Sequence, residues 1–354
     1  MYDQMVRYQR DEYEHSDESN PRILLIGPSR SGKTSILLVI FEKMDQLDTI
    51  SIEPTTEAVR YTMYGGIEVY DLPGHSDEDD YQSEYLREFL SSNTVIVFVI
   101  DTQDNIQKAL LHLFANMELV FNYNPNIPFH IFLHKIDGLS EELREDINQD
   151  IQQRVISYMD YEGWDSAAVQ FYITSIYTKS IYEAMSRVSH KLVSYVNVLE
   201  TLLNSLCYNS SLDKAYLFDM QTKLFIATDS SPSVSKSHEF CCSTIGLVED
   251  LTKMYSRFQM GPNGQQNSHL TSVIHLQANI SIFSYQVNER LILVCLSSDK
   301  ISQKTSLLAF NARKVTTALQ RVLEFSSSRT NSRISNSRTN TSLLIDSHES
   351  IEQN

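Results

Sequence analysis

Gly27-Pro28-Ser29-Arg30-Ser31-Gly32-Lys33-Thr34 spaces two glycines, a lysine and a hydroxyl as a polyphosphate cradle requires. The segment matches G-x-x-x-x-G-K-[ST] at every set position. A loop of this kind aims its backbone N–H groups at phosphate oxygens, helped by the start of the helix behind it. In such a site Lys33 reaches the β- and γ-phosphates, and the Thr34 hydroxyl ligates Mg²⁺. Gly27 through Ser35 are therefore the candidate phosphate-binding residues.

Further along, three clusters each end an apolar, strand-like run. Asp71-Leu72-Pro73-Gly74 follows Ile67–Tyr70. Asp71 is the candidate second Mg²⁺ residue, acting through water, and the Gly74 N–H is placed to meet a γ-phosphate. His134-Lys135-Ile136-Asp137 follows Phe129–Leu133. A carboxylate at Asp137 can accept hydrogen bonds from guanine N1–H and N2–H₂, donors that adenine lacks. A buried group left unpaired by the wrong base is what enforces such a choice. Lys135 would lay its stem along the base plane. Thr174-Ser175-Ile176 follows Val169–Ile173, and its backbone N–H groups could support the guanine O6. Between the first two motifs lies Ser51-Ile52-Glu53-Pro54-Thr55-Thr56. A threonine in that loop can ligate Mg²⁺ and sense the γ-phosphate. Thr55 is the choice, with Thr56 as the alternative.

The elements that must position these residues follow from the apolar pattern. Ile23–Ile26, Ile67–Tyr70, Thr94–Ile100, Phe129–Leu133 and Val169–Ile173 are apolar on both faces. Such runs belong to a parallel sheet covered by helices, and ligands then sit beyond the carboxyl ends of its strands. Ser35–Phe41, Asp104–Phe121 and Ser180–Val196 carry helical spacing. Near residue 198 the order changes. Leu199–Cys207 and Glu239–Tyr255 read as helices, with a strand pair, Ala215–Phe218 and Lys223–Ala227, between them. Ser272–Gln277, Ser281–Gln286 and Leu291–Leu296 read as consecutive strands before a helix over Thr305–Phe325. Consecutive strands flanked by helices predict an antiparallel α+β domain. Met260–Ser268 reads as a loop. Residues 1–20 and 326–354 lack the apolar content to fold and are expected to be disordered, the latter as a solvated Ser/Arg/Asn-rich tail.

Composition narrows the function. A net charge of −16 argues against binding nucleic-acid backbones, which needs a basic surface. Cys207, Cys241, Cys242 and Cys295 form no C-x-x-C pair and read as buried thiols of a reducing cytosol. No run reaches the length of a membrane span, and neither terminus carries a signal core or a lipidation box. Direct membrane insertion is not expected.

Together the motifs resemble the Rag/Gtr family of GTPases, and its RagC/RagD type in particular. The likeness rests on H-K-x-D in place of N-K-x-D, on Asp71-Leu72-Pro73-Gly74, on Ile136-Asp137-Gly138-Leu139-Ser140 and on Phe171–Tyr177. In the second half it rests on Lys214-Ala215-Tyr216-Leu217-Phe218-Asp219 and Ala227-Thr228-Asp229-Ser230-Ser231-Pro232. The resemblance implies an α/β fold: a Ras-like P-loop nucleotide-binding domain at 21–197, then an α+β roadblock (longin-like) dimerisation domain at 198–325. It implies GTP/GDP and Mg²⁺ as ligands. It implies a heterodimer with a RagA/RagB-type GTPase, a lipidated membrane scaffold complex, a GTPase-activating protein and the TOR kinase complex as partners. The implied location is cytoplasmic and peripheral on the lysosomal or vacuolar membrane, with the nucleus as a further compartment. Catalytic roles would fall to Lys33, Gly74 and His75. His75 stands where the family usually has Gln to orient the attacking water. Ser29 can crowd the transition state, so slow, activator-dependent turnover is expected. Two competing readings remain at this point: a nucleotide-loaded scaffold with negligible hydrolysis, and an ATP-using P-loop enzyme, against which Asp137 argues.

Overall fold

The computed structural model describes residues 20–74, 86–87, 89–90, 93–193, 195–232, 237–255, 271–276, 280–298 and 306–324. The chain divides into two compact units between Leu192 and Val193.

The first unit is built on β1 (Arg22–Ile26), β2 (Val59–Thr62), β3 (Glu68–Asp71), β4 (Thr94–Asp101), β5 (Phe129–His134) and β6 (Val169–Ile173). These lie in the order β2-β3-β1-β4-β5-β6. All neighbours are parallel except β2, which runs antiparallel to β3. Strands apolar on both faces are the ones that fill the middle of this sheet. β4, Thr-Val-Ile-Val-Phe-Val-Ile-Asp, is buried until its final aspartate. Alternate residues of β5 serve different layers, as strand geometry dictates. Phe129, Ile131 and Leu133 join the cluster formed with α2 (Ile106–Tyr123) and α3 (Glu141–Glu162). His130, Phe132 and His134 therefore point to the other face.

Two elements lack the apolar pattern that marks the rest. β2 is an edge strand with no fully buried residue. α3 buries only Ile151, Val155 and Met159 of its 22 residues. Its signals lie at its ends. The Ser140 hydroxyl accepts from the Leu143 N–H, two glutamates fill the first turn, and Gly163 closes it at φ 74. The helix after the phosphate loop, α1 (Lys33–Leu37), passes into a wider π-turn at Leu38–Glu42. The helix expected over Ser180–Val196 ends at His190 (α4, Ser180–His190), and the one expected over Leu199–Cys207 starts earlier and runs on to Ser210 (α5, Val196–Ser210). The expected domain boundary at 197/198 accordingly falls inside α5.

The second unit is an antiparallel sheet of β7 (Lys214–Asp219), β8 (Phe225–Thr228), β9 (Thr271–His275), β10 (Ser281–Gln286) and β11 (Leu291–Ser297). The order is β8-β7-β11-β10-β9. It is accompanied by α5, α6 (Ser237–Tyr255) and a helix α7 over 306–324. The word Lys214–Asp219 owes its charged ends to two ion pairs, one buried and one half-buried. Lys214 Nζ lies 3.3 Å from Asp229 Oδ1, with both side chains almost fully buried. Arg290 grips Asp219 with two bonds of 3.0 Å, and Thr222 Oγ1 donates to the same carboxylate. Removing Arg290 would leave Asp219, 1% exposed, short of its charged partner. Arg290→Met is expected to cost about 2 kcal/mol, read as a lower denaturant midpoint at unchanged m-value.

Candidate functional site

All four motif loops emerge at the carboxyl ends of parallel strands. The loop from Gly27 to Gly32 joins β1 to α1. Two of its glycines are required by geometry. Gly27 has φ 140, and a Cβ there would stand 2.5 Å from the Val99 carbonyl oxygen. Gly32 has φ 105, and its Cβ would stand 2.7 Å from His134 Cδ2. Pro28 and Ser35 are half-buried, Ser29 and Arg30 are exposed, and Ser31 is 1% exposed. Arg30 adopts φ 64, a left-handed conformation that a non-glycine residue keeps only when its surroundings hold it.

Lys33 is 4% exposed. Its Nζ donates to the carbonyls of Gly27 and Pro28, each at 2.9 Å. Burial lowers its pKa to about 8, and the nearby Asp71 carboxylate partly offsets this. Asp71 ends β3 with no exposed surface. Its Oδ2 accepts from Thr34 Oγ1 at 2.6 Å and from Thr55 Oγ1 at 3.1 Å. The two hydroxyl oxygens are 2.6 Å apart. Thr56 is exposed. Burial pushes the Asp71 carboxyl up, against the pull of the Thr34 and Thr55 hydroxyls and Lys33. Its other oxygen, Oδ1, is buried with no hydrogen-bond partner. Two converging hydroxyls, a carboxylate and an orphaned carboxylate oxygen make a hard-oxygen donor set suited to Mg²⁺. Among the described residues no cluster of three His, Cys, Asp or Glu offers an alternative metal site.

Gly74 packs onto the phosphate loop. A Cβ there would lie 2.5 Å from Ser29 Cα and 3.1 Å from Lys33 Nζ. His75 lies outside the described residues.

The third motif divides its labour. Asp137 accepts a short hydrogen bond from the Ser175 hydroxyl. Ser175 is in turn anchored, its N–H donating to Ser180 Oγ at 3.0 Å and its own Oγ accepting from the Tyr177 N–H at 3.1 Å. Ile176 is 8% exposed beside it. Lys135, at φ 62, donates from Nζ to the Arg30 carbonyl at 2.8 Å and pairs with Asp101 Oδ2 at 2.5 Å. Its stem thus crosses from β5 to the phosphate loop. His134 is 1% exposed and contacts Thr174 Oγ1 through Nδ1 at 3.0 Å. Burial, with Lys135 adding to it, lowers its pKa to about 3, so the ring is neutral.

The sequence motifs did not include Asp101, Gln103 or Thr102. Gln103 Nε2 donates to the Lys135 carbonyl at 2.5 Å, and Thr102 binds the His134 carbonyl through both N–H and hydroxyl. The available signal was Asp101-Thr102-Gln103 at the end of the most apolar strand, where a polar triplet faces the same ligand edge.

A phosphate loop between strand and helix, with an Asp-x-x-Gly turn and a carboxylate-bearing third loop at the same sheet edge, defines the class as a P-loop G protein. Residues 22–245 match the model of the Gtr1/RagA G protein conserved region. The chain belongs to this Rag/Gtr family, and within it to the RagC/RagD type. It is 34% identical to Ras-related GTP-binding protein C of Homo sapiens, over 87% of this chain and 78% of that protein. It is 36% identical to GTP-binding protein gtr2 of Schizosaccharomyces pombe, over 85% of this chain and 97% of that one. Against GTP-binding protein gtr1 of the same yeast the identity is 22%, over 81% and 92%. The solved structure of Myxococcus xanthus MglB overlaps 36% of this chain at 16% identity and a TM-score of 0.30, too slight a likeness to define a fold.

Lys33 gives the site a pH signature. Phosphate oxygens favour the charged lysine and raise its pKa above about 8. Nucleotide binding near pH 8 should therefore take up a proton, and affinity should fall as pH rises through that value. Calorimetric titration of GDP in buffers of differing ionisation enthalpy should register this uptake; a heat independent of buffer would contradict it.

Proposed function

We propose that the protein is a regulatory GTPase whose output is the nucleotide it holds. The observation that carries this reading is the meeting of Thr34, Thr55 and Asp71 beside Lys33. Thr55 comes from the loop between the first two motifs, so its place in this cluster ties a switch-type loop to the phosphate site. Thr34 and Thr55 would hold Mg²⁺ directly and Asp71 through water. When bound, the ion neutralises charge on the β- and γ-phosphate oxygens. Lys33 would add its own positive charge to those oxygens, and the Gly74 N–H would meet the γ-phosphate. Asp137, oriented by Ser175, selects guanine, with Ile176 and the neighbouring backbone supporting O6. Lys135 lines the base plane.

Hydrolysis would be in-line attack of water on the γ-phosphorus, breaking its bond to the bridging oxygen and releasing GDP and phosphate. His75 is the residue proposed to orient that water. A side chain at Ser29 beside the γ-phosphate would slow turnover, with a GTPase-activating protein supplying the rest. His75 and Ser29 are the features that favour the second reading, a nucleotide-loaded scaffold with negligible hydrolysis that signals through dimerisation.

The second unit is proposed as a roadblock-type dimerisation domain for a RagA/RagB-type GTPase. On α6, Phe240, Leu247, Leu251 and Met254 are 39–56% exposed at one helical spacing, and Val273 is 44% exposed on edge strand β9. An exposed apolar helix face and an open sheet edge are each the kind of surface that an obligate partner covers. No described helix is long and apolar enough to cross a membrane. Association with the lysosomal or vacuolar surface, as with the TOR kinase complex, would run through a lipidated scaffold.

The test is a single turnover. GTP loaded on the full-length chain, co-expressed with a RagA-type partner, should convert to GDP slowly, and Lys33→Ala should abolish nucleotide retention. Retained GTP that never converts, even with an activating protein, supports the scaffold reading. Full nucleotide affinity in Lys33→Ala would remove the phosphate-site assignment.

A further inference from the structure

We propose that His134 is a positioning residue: its ring braces the phosphate loop against the end of β6 and does not read the base. This deepens the nucleotide-site reading above and rests on it. Three observations carry it.

First, the ring is matched to a glycine. The Cδ2–Nε2 edge lies where a side chain at position 32 would have to go, at 2.7 and 3.1 Å from that Cβ. Gly32 and His134 thus form one packing pair, and the ring sets how far the loop before Lys33 can sink toward β5. Second, the opposite side of the ring is tied down. Thr174 Oγ1 donates to the Leu133 carbonyl at 3.4 Å, so its lone pair is left to accept from His134 Nδ1–H at 3.0 Å. That bond orients the ring. Third, the backbone around it is pinned. The His134 carbonyl accepts from Thr102 N–H and hydroxyl, and Thr174 N–H donates to Leu133. With 1% of its surface exposed, the ring has no face to offer a base. Asp137 and Lys135, one to three residues on, stand at the site instead.

The consequence is coupling. A phosphate-loop shift must push the ring, and the ring is bonded to the residue that precedes Ser175, which holds Asp137. Phosphate and base ends of the nucleotide are thereby held by one packed unit. Loss of the brace should loosen both ends equally and leave the choice of base intact.

The experiment follows release of a fluorescent GDP from the full-length chain carrying His134→Phe, Thr174→Val, or both, alongside competition between GDP and xanthosine diphosphate. Thr174→Val preserves shape and removes only the acceptor, so it guards against a misfolded His134 variant. Each single change is expected to speed release about tenfold, the scale of one buried hydrogen bond left unpaired. The double variant should be no faster than the faster single, because both remove one interaction. His134→Asn, which keeps a donor, should restore part of the retention. The preference for GDP over xanthosine diphosphate should stay at the parent value throughout. Release at the parent rate in both singles, additive effects in the double, or a collapse of base preference in His134→Phe would overturn the proposal. A parent protein that holds no guanine nucleotide would overturn the site reading and the proposal together.

Discussion

The site is organised around a carboxylate that should not be stable alone. Asp71 sits at the end of a central strand with no exposure to water, and burial works against its charge. It is kept there by Thr34 from the phosphate loop, Thr55 from the following loop and the nearby Lys33 ammonium. Each of these groups has a second attachment to the phosphate site. Lys33 is itself buried and inclined to lose its proton. Two charges that each resist burial are held near one another, which is an arrangement that polyphosphate and a divalent cation would relieve together. The parallel sheet supplies the rigidity: β3 and β1 are paired Leu25 to Asp71, so the carboxylate and the phosphate loop leave the same rung.

The strain in the site has the same logic. Arg30 and Lys135 both take left-handed backbone, and Lys135 Nζ donates to the Arg30 carbonyl. Asp101 and Gln103 hold Lys135 from the third side. Conformations that would each cost about 1 kcal/mol or more persist because several contacts over-determine them. The base side and the phosphate side of the pocket are therefore a single hydrogen-bonded body rather than two loops that happen to meet.

Much of this was legible in the residues. The phosphate loop, the Asp-x-x-Gly turn and the third motif announce themselves by spacing, and buried strands by unbroken apolar runs. α3 was not legible by periodicity because three buried residues in 22 give almost no stripe; its caps, Ser140 and Gly163, were the better evidence. β2 escaped because an edge strand exposed on both faces needs no pattern. The α4–α5 break was expected but placed too late, because Leu192 and Val196 keep the apolar spacing beyond His190, where α4 ends. Asp101 was invisible for a different reason: its importance comes from Lys135, which the fold brings beside it at a separation of 34 residues. Thr174 was read for its backbone, while the structure also ties its hydroxyl to His134, 40 residues away. Conversely, Thr55 and Thr56 are equivalent as sequence, and only the structure distinguishes the one that turns inward.

The central claim is that Thr55 joins Thr34 and Asp71 in holding Mg²⁺ when a γ-phosphate is present. The most direct measurement is the release rate of GTP and of GDP, with Mg²⁺ and after chelation, in the parent chain and in Thr55→Ala. The account predicts that Thr55→Ala releases GTP faster, with much of the Mg²⁺ dependence of GTP retention lost, while GDP release is nearly unchanged. Equal effects on both nucleotides, or none on either, would contradict it.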